Sequence, residues 1–389
     1  MVLLNAPFEP GQIGYQAERL QTLHEHFERL IERNIIQGAS YCLARDGKVF
    51  AGGALGRLSY RKEDARPLTP DTLCDIASIT KLFCATAVFK LVEDGRMRLD
   101  QKVGEFIEEF NVPPFKEIHI AHLLSHTSGM HAGPGCFENP YHISYWDFVN
   151  EGFTRGEKNW LKSALRGGMR TSPGTEWAYN SFGYAVLGEI VSRVSGVCVH
   201  DYITEQLLKP CGMASTGFDR SAPGIAQRYI LRNAEQEKEL QARMAGTYHP
   251  DETEALWSTV PDTAGGLFSN AEDLVKFGNM LLLGGKAGGS RVIGRKAIEK
   301  MTAVYTCDLK DYCWGAGGVQ RVYGLGPDLR NNLASLYTKE TYFHEGAGAC
   351  CLMIDPTERM VAAWFVPFTG NWNGEALYNT AAVLWSGLE

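Results

Sequence analysis

The sequence predicts an α+β fold whose antiparallel sheet draws strands from both ends of the chain. Strand-like patterns at 39–45 and 48–56 return only after residue 310, and the intervening segment is mostly helical in pattern. Since a sheet must cover its apolar faces with other elements, the simplest packing adds a helix near each terminus and a large helical insertion. We therefore expect an α/β domain over 1–75 and 265–389, a mostly helical domain over 76–264, and a cleft between them.

The first elements along the chain are an amphipathic helix and a hairpin. Asp46-Gly47 separates two apolar runs, which is a strong hairpin signal. Residues 60–71 are polar and contain proline, so they are expected to form a loop. The helix is predicted over 17–35 because one stripe at helical spacing carries Leu20, Leu23, Phe27, Leu30 and Ile31.

Three helices are predicted in the middle of the chain, over 81–93, 183–194 and 270–283. The aromatic-rich stretch 130–169 is irregular, and its rings belong either to the core or to the roof of an apolar pocket. Beyond residue 310 the patterns predict strands over 315–323, 333–344, 349–355 and 360–368 and a closing helix over 375–386.

Composition excludes several classes of protein. The 389 residues are 44% hydrophobic and 21% charged, unlike disordered or fibrous chains. A net charge of −7 works against binding to nucleic-acid phosphates. The N-terminus MVLLNAPFEPGQ lacks a secretory signal and no apolar run reaches bilayer length, so we expect a cytoplasmic protein without a membrane partner. The ten cysteines contain no CxxC pair and are interpreted as reduced core thiols.

Ser78 and Lys81 form the first candidate catalytic pair, because their spacing places both on one helical face. A serine hydroxyl needs a neighbouring base, and a lysine amine serves as one only when burial keeps it neutral. The alternative is a helix-start serine beside a lysine that snorkels to solvent. The other Ser-x-x-Lys, Ser59 to Lys62, lies among charges and is discarded. The apolar neighbours that favour burial of Lys81 are Ile76, Ala77, Ile79, Leu82 and Phe83.

Two further polar clusters carry weaker signals. Tyr179 lies on a turn before a predicted helix, and near a lysine it can relay protons; the alternative is a buried tyrosine with a satisfied hydroxyl. His344 precedes Gly346 at a predicted strand, where a glycine permits close approach of a substrate. A backbone N–H beyond Gly346 can join that of Ser78 as an oxyanion hole.

Together these clusters resemble the serine β-lactamase and penicillin-binding-protein-like superfamily. The resemblance is closest to the branch with class C β-lactamases, D-alanyl-D-alanine carboxypeptidases, D-aminopeptidases and family VIII esterases. That branch carries Ser-x-x-Lys, then Tyr-x-Asn, then Lys/His-x-Gly. The matching segments are Ser78-Ile-Thr-Lys81, Tyr179-Asn180-Ser181 and His344-Glu345-Gly346, and the similarity extends from about residue 35 to about residue 370.

The resemblance implies a β-lactamase/transpeptidase-like fold and a role for each matched residue. Ser78 becomes the acylated nucleophile, while Lys81 and Tyr179 share the general base and acid work. The backbone N–H groups of Ser78 and Ala347 become the oxyanion hole. The substrate-binding residues are then expected to be His344, Gly346, Ala347, Ser181 and Trp314.

One departure from the family pattern concerns the substrate. Ser181 stands where peptidases and β-lactamases usually carry asparagine, which offers an amide both a donor and an acceptor. Asn180 is one residue away and is expected to point elsewhere. We therefore expect a carboxylesterase rather than an amidase. A GxSxG elbow is absent, which argues against an α/β-hydrolase.

The alternatives to a carboxylesterase fall into two groups, according to whether they form an acyl-enzyme. A D-amino-acid peptidase, a weak β-lactamase and an acyltransferase all use the same machinery, whereas a catalytically silent binding protein does not. The substrate is expected to be a small ester or amide, with no cofactor, and the oligomeric state is left open. His122 and His126 have the i, i+4 spacing of a metal-binding pair, but the residue after His122 is Leu123 rather than the glutamate of a zinc-protease helix. No metal is therefore expected.

Overall fold

The computed structural model describes residues 1–133, 136, 143–248, 250–330, 336–347 and 349–389. Its main sheet has six strands in the order β1-β3-β2-β12-β11-β10, every neighbouring pair antiparallel, so the predicted α+β class is confirmed. The described strands are β1 (Val2–Leu3), β2 (Gly38–Arg45), β3 (Lys48–Gly56), β4 (Cys74–Asp75), β5 (Phe268–Ser269), β6 (Lys286–Ala287), β7 (Ser290–Arg291), β8 (Lys310–Asp311), β9 (Val319–Gln320), β10 (Tyr342–Gly346), β11 (Cys350–Asp355) and β12 (Met360–Phe365).

The hairpin at Asp46 and Gly47 begins this sheet as predicted. Both residues have positive φ, 53° and 76°, as the two central positions of a type I′ turn require. Strand β12 then joins the C-terminal part of the chain to β2, with Ala362 opposite Leu43. Strands from the N-terminal and C-terminal parts of the chain therefore pair at the centre of the sheet.

Helices cover both faces of the sheet. Leu43 and Trp364 face the cluster that contains the first and last helices, whereas Cys42 and Phe365 face the larger cluster, which contains most of the other helices. The described helices are α1 (Glu18–Glu32), α2 (Thr80–Glu93), α3 (Ile120–Leu124), α4 (Tyr145–Thr154), α5 (Trp160–Ala164), α6 (Ser181–Ser195), α7 (Val199–Ile203), α8 (Ile225–Arg228), α9 (Ala234–Met244), α10 (Glu252–Trp257), α11 (Ala271–Leu282), α12 (Arg295–Thr302) and α13 (Thr380–Trp385).

Several predicted boundaries are wrong. The strand expected over 315–323 is reduced to β9, since Gly315, Gly317 and Gly318 all adopt positive φ and interrupt extended backbone. The strand expected over 333–344 begins only at Tyr342, and residues 333–335 lie outside the described part. The last strand ends at Phe365, and the closing helix begins with a π-helical turn, Glu375–Asn379, before α13.

The aromatic-rich stretch contributes to the core. Tyr145, Trp146 and Trp160 pack against Phe182 of α6. Phe137 and Tyr141 lie outside the described residues. In the described part of the chain no single helix has the length and apolarity to span a bilayer; the bent pair Ser181–Ser195 and Val199–Leu208 meets that criterion only jointly.

Candidate active site

Ser78 lies on a tight turn between a short strand and a buried helix. Strand β4 pairs with β5, and Ile76 N–H donates to the Leu267 carbonyl at 3.0 Å. Ala77 then adopts a φ of 43°, an unusual value for a residue with a side chain. A 3-10 turn, Ala77–Ile79, leads directly into α2, so the half-buried Ser78 sits at the positive end of that helix.

Lys81 follows one turn later and is fully buried, as its apolar neighbours predict. Its Nζ lies 2.9 Å from Ser78 Oγ and 2.8 Å from the carbonyl oxygen of Ala264. The aromatic rings of Tyr179 and Tyr184 face the same amine, with centroids at 4.9 and 5.5 Å. Burial lowers the pKa of Lys81 to about 7. A substantial fraction of the amine is therefore neutral near pH 7 and able to accept the serine proton.

Tyr179 is held at the N-terminus of α6 by its neighbour. Asn180 accepts the Gly183 N–H at 2.7 Å and donates to the His131 carbonyl at 2.6 Å, so its side chain caps the helix and points away from the cavity, as expected. Burial raises the pKa of the Tyr179 hydroxyl, and an interaction with Ser78 acts in the opposite direction. The phenol is therefore protonated at neutral pH and available as a proton donor.

Strand β10 runs along the nucleophile turn. A Cβ on Gly346 would lie 2.3 Å from the carbonyl oxygen of Ile76, so only glycine permits this approach. Ala347 follows immediately and is exposed. His344 is buried, and its Nδ1 donates to the Glu345 carbonyl at 2.7 Å. Burial, followed by the charge of Lys81, lowers the pKa of His344 to about 3, which leaves a neutral ring on the wall of the site.

All eight sequence-predicted site residues meet at one cavity of about 560 Å³. Lys81 lies beneath it, bonded to Ser78. Trp314 is 58% exposed at the cavity and, with a φ of 52°, is another residue held in the left-handed region. The predicted residues that line the cavity directly are Ser78, Tyr179, Ser181, Trp314, His344, Gly346 and Ala347.

Sequence reasoning missed an alternating row of charges on the same wall. Arg321 contacts Asp311 at 3.3 Å and Asp328 at 2.5 Å. Arg330 contacts Asp328 at 2.8 Å and Glu345 at 2.9 Å. We call this row Asp311–Arg321–Asp328–Arg330–Glu345 the charge ladder. The order of these residues along the chain follows the order of their contacts, yet charges scattered over 35 positions resemble an ordinary solvated surface in the sequence.

Two supporting groups were missed as well. The carbonyl of Ala264 acts through the main chain, so its side chain carries no signal. His126 is buried beneath Tyr179, with ring centroids 4.4 Å apart, and its Nδ1 accepts the Asn180 N–H at 3.0 Å. The available signal was its i, i+4 spacing from His122, and in the fold its contacts position Tyr179.

The sheet covered on both faces, the helical insertion and the buried lysine beside a helix-start serine define the class of penicillin-binding-protein-like and β-lactamase-like proteins. The sequence model of the family described as Beta-lactamase matches residues 23–381. The chain therefore belongs to this family of serine hydrolases, and the resemblance drawn from its motifs is confirmed.

Individual relatives cover almost the whole chain at low identity. An Escherichia coli K12 protein provisionally named D-alanyl-D-alanine carboxypeptidase is 25% identical over 90% of this chain and 82% of its own length. A penicillin-binding protein homologue from Caulobacter crescentus is 21% identical, with a TM-score of 0.73 over 96% of this chain and 99% of its own. A family VIII carboxylesterase is 20% identical, with a TM-score of 0.70 over the same shares.

Proposed function

We propose that the protein is a carboxylesterase that forms an acyl-enzyme at Ser78. The observation that carries this proposal is the contact of 2.9 Å between Ser78 Oγ and Lys81 Nζ, an amine that is fully buried. A pKa of about 7 at Lys81 matches a general base that works near neutral pH. An ordinary surface lysine would remain protonated there and would leave the serine unactivated.

The reaction follows from the positions of these groups. Neutral Lys81 accepts the proton of Ser78 as Oγ attacks the ester carbonyl. Ser78 and Ala347 both line the cavity, and we assign their N–H groups as the donors to the resulting oxyanion. The tetrahedral intermediate collapses when the protonated pair of Lys81 and Tyr179 returns a proton to the departing alcohol. Water then attacks the acyl-enzyme, the amine accepts its proton, and Oγ leaves as the serine hydroxyl with the free acid as product.

Ester rather than amide substrates are supported by the residue after the helix cap. Ser181 lines the cavity with one hydroxyl, and the amide of Asn180 is already engaged in capping α6. A substrate amide N–H and carbonyl therefore find fewer matched partners than an asparagine would supply. The name of the Escherichia coli relative suggests a peptidase and that of one structural neighbour an esterase, so both substrate classes belong in the test.

The test compares initial rates on p-nitrophenyl hexanoate, hexanoyl p-nitroanilide and a chromogenic cephalosporin. We expect the ester to be hydrolysed fastest and Ser78→Ala to lose all activity and all labelling by a fluorophosphonate. Ser59→Ala is the matched control, since Ser59 begins the chain's other Ser-x-x-Lys and does not line the cavity. Wild-type rates in Ser78→Ala would overturn the mechanism, and a higher rate on the anilide or the cephalosporin would replace the esterase by an amidase or a β-lactamase.

A further inference from the structure

The charge ladder gives the cavity an electrostatic preference that the proposed chemistry does not require. Among the described residues that line the cavity, the cationic side chains are Arg321 and Arg330. The ring of His344 also lines it but is neutral. Each is held between two carboxylates at 3.3 Å or less. A substrate carboxylate would therefore compete with carboxylates already in place for both guanidinium groups.

The ladder is also unbalanced in charge. It contains three carboxylates, Asp311, Asp328 and Glu345, against two guanidinium groups. Burial alone would raise the pKa of Asp328, yet Arg321 and Arg330 hold that pKa below its ordinary value, so the middle carboxylate stays ionised. Asp328 is therefore a fixed negative charge between the two guanidinium groups of the cavity wall.

The mouth of the cavity adds aromatic rather than cationic surface. Trp314, Trp372 and Tyr378 line it and are 58%, 49% and 37% exposed. Aromatic faces attract apolar and cationic groups and offer nothing to an anion. The Tyr378 hydroxyl also interacts with Glu345, which joins this rim to the end of the ladder.

We propose that the ladder makes the enzyme selective for uncharged or cationic esters and unfavourable to substrates that carry a carboxylate. The inference rests on the proposed esterase function and names its substrate class. It places free-acid β-lactams and peptides with a C-terminal carboxylate among the poor substrates. Glu345 is the specificity-determining residue, because it is the end of the ladder beside His344 and Gly346 and is the outer partner of Arg330.

The test uses three p-nitrophenyl esters with six-carbon acyl chains that differ only at the end of the chain. These are the hexanoate, the hemiadipate and the ε-aminohexanoate, which are neutral, anionic and cationic, with rates corrected for spontaneous hydrolysis. We expect kcat/KM for the hemiadipate to be about tenfold or more below that for the hexanoate, and the cationic ester to match or exceed the hexanoate. Equal kcat/KM for the anionic and neutral esters would overturn the selectivity.

The variant Glu345→Gln tests whether the selectivity against anionic esters depends on the charge ladder. The substitution frees Arg330 from one carboxylate, so the ratio of hemiadipate to hexanoate kcat/KM should rise by about tenfold. Glu239→Gln is the matched control, since Glu239 also pairs with an arginine, Arg243 at 2.8 Å, and does not line the cavity. An unchanged ratio in folded Glu345→Gln would overturn the assignment to the ladder. Failure of all three esters in the wild type would instead overturn the esterase itself, and should Glu345→Gln not fold, the wild-type series decides alone.

Discussion

Lys81 Nζ donates a hydrogen bond to the carbonyl oxygen of Ala264 at 2.8 Å. A neutral amine has two N–H bonds and one lone pair, so directing an N–H at Ala264 helps to turn the lone pair toward Ser78 Oγ, 2.9 Å away. The segment that carries Ala264 lies 183 residues beyond the lysine in sequence. The orientation of the proposed base is thus fixed by tertiary structure, whereas its distance from the serine is fixed by one turn of helix.

The first prediction concerns pH. Only neutral Lys81 accepts the serine proton, so kcat/KM for p-nitrophenyl hexanoate should rise with pH through an apparent pKa of about 7 and level off above it. His344, with a pKa of about 3, should not contribute in this range. Initial rates between about pH 5 and pH 9 measure the profile. A rate that still rises with pH up to about pH 9, without levelling off, would show that the base does not have a pKa of about 7.

The second prediction separates the function of Lys81 from its effect on stability. Unfolding returns the pKa of the amine from about 7 to 10.5, so between these values the unfolded chain binds more protons and folding becomes more favourable as pH rises. The buried lysine is therefore most destabilising below about pH 7. Lys81→Met should abolish activity and raise the unfolding free energy by about 1–3 kcal/mol at pH 6, less at pH 9.

Thermal unfolding at the two pH values checks this. Lys296→Met is the control, because Lys296 is 80% exposed and its replacement should leave both stability and activity nearly unchanged. A lower melting temperature for Lys81→Met at both pH values would mean that its hydrogen bonds outweigh the cost of burying the amine.

The sequence predicts those parts of this molecule that depend on local spacing. The hairpin at Asp46 is encoded by two adjacent residues, which set its register as far as the pair of Ala44 and Val49; beyond that pair an irregularity shifts the register. The two-residue strand Val2–Leu3 is too short for any periodicity, and it forms because β3 offers a free edge. Residues 315–323 have a strand-like pattern, but the chain turns there instead, because four of the five residues between 314 and 318 have positive φ.

The residues of the candidate site also fall into those that local sequence predicts and those that it does not. Ser78 and Lys81 are one helical turn apart, so sequence alone brings them together, and the apolar neighbours of Lys81 predict its burial. Ala264 acts through its carbonyl, His126 through contact of its ring with Tyr179, and the charge ladder through a chain of ion pairs. For Ala264 and the charge ladder no local pattern differs from that of ordinary loop and surface positions, so only the folded chain shows their roles.

The third prediction tests the contact between β10 and the nucleophile turn. In Gly346→Ala the new Cβ would meet the Ile76 carbonyl at 2.3 Å and Cys350 Sγ at 2.6 Å, so strand and turn must separate. We expect a loss of about 2–3 kcal/mol in unfolding free energy and at least tenfold in kcat/KM, since Ala347 N–H would move away from Ser78. Gly11→Ala is the control, with no atom within 4 Å of its Cβ position. Wild-type activity in Gly346→Ala would show that the position of β10 is not needed for the proposed oxyanion hole.

The last prediction concerns the residue that departs from the family pattern. Ser181 begins α6 and lines the cavity, while the cap itself is supplied by Asn180, so Ser181→Asn should leave the helix start intact. The longer amide adds a donor and an acceptor that a substrate amide can use and an ester uses only in part. We therefore expect the ratio of kcat/KM for hexanoyl p-nitroanilide to that for p-nitrophenyl hexanoate to rise by about tenfold.

Both substrates carry the same uncharged acyl chain, so this ratio is independent of the charge ladder. Ser181→Ala is the control: it removes the hydroxyl without adding an amide and should not raise the ratio. An equal rise in both variants would mean that loss of the serine hydroxyl, rather than hydrogen bonding by the new amide, opens the site to amides. A fall in Ser181→Asn would place the choice between ester and amide elsewhere in the cavity, with the neutral ring of His344 as the next side chain to exchange, since it lies on the wall beside the proposed oxyanion hole.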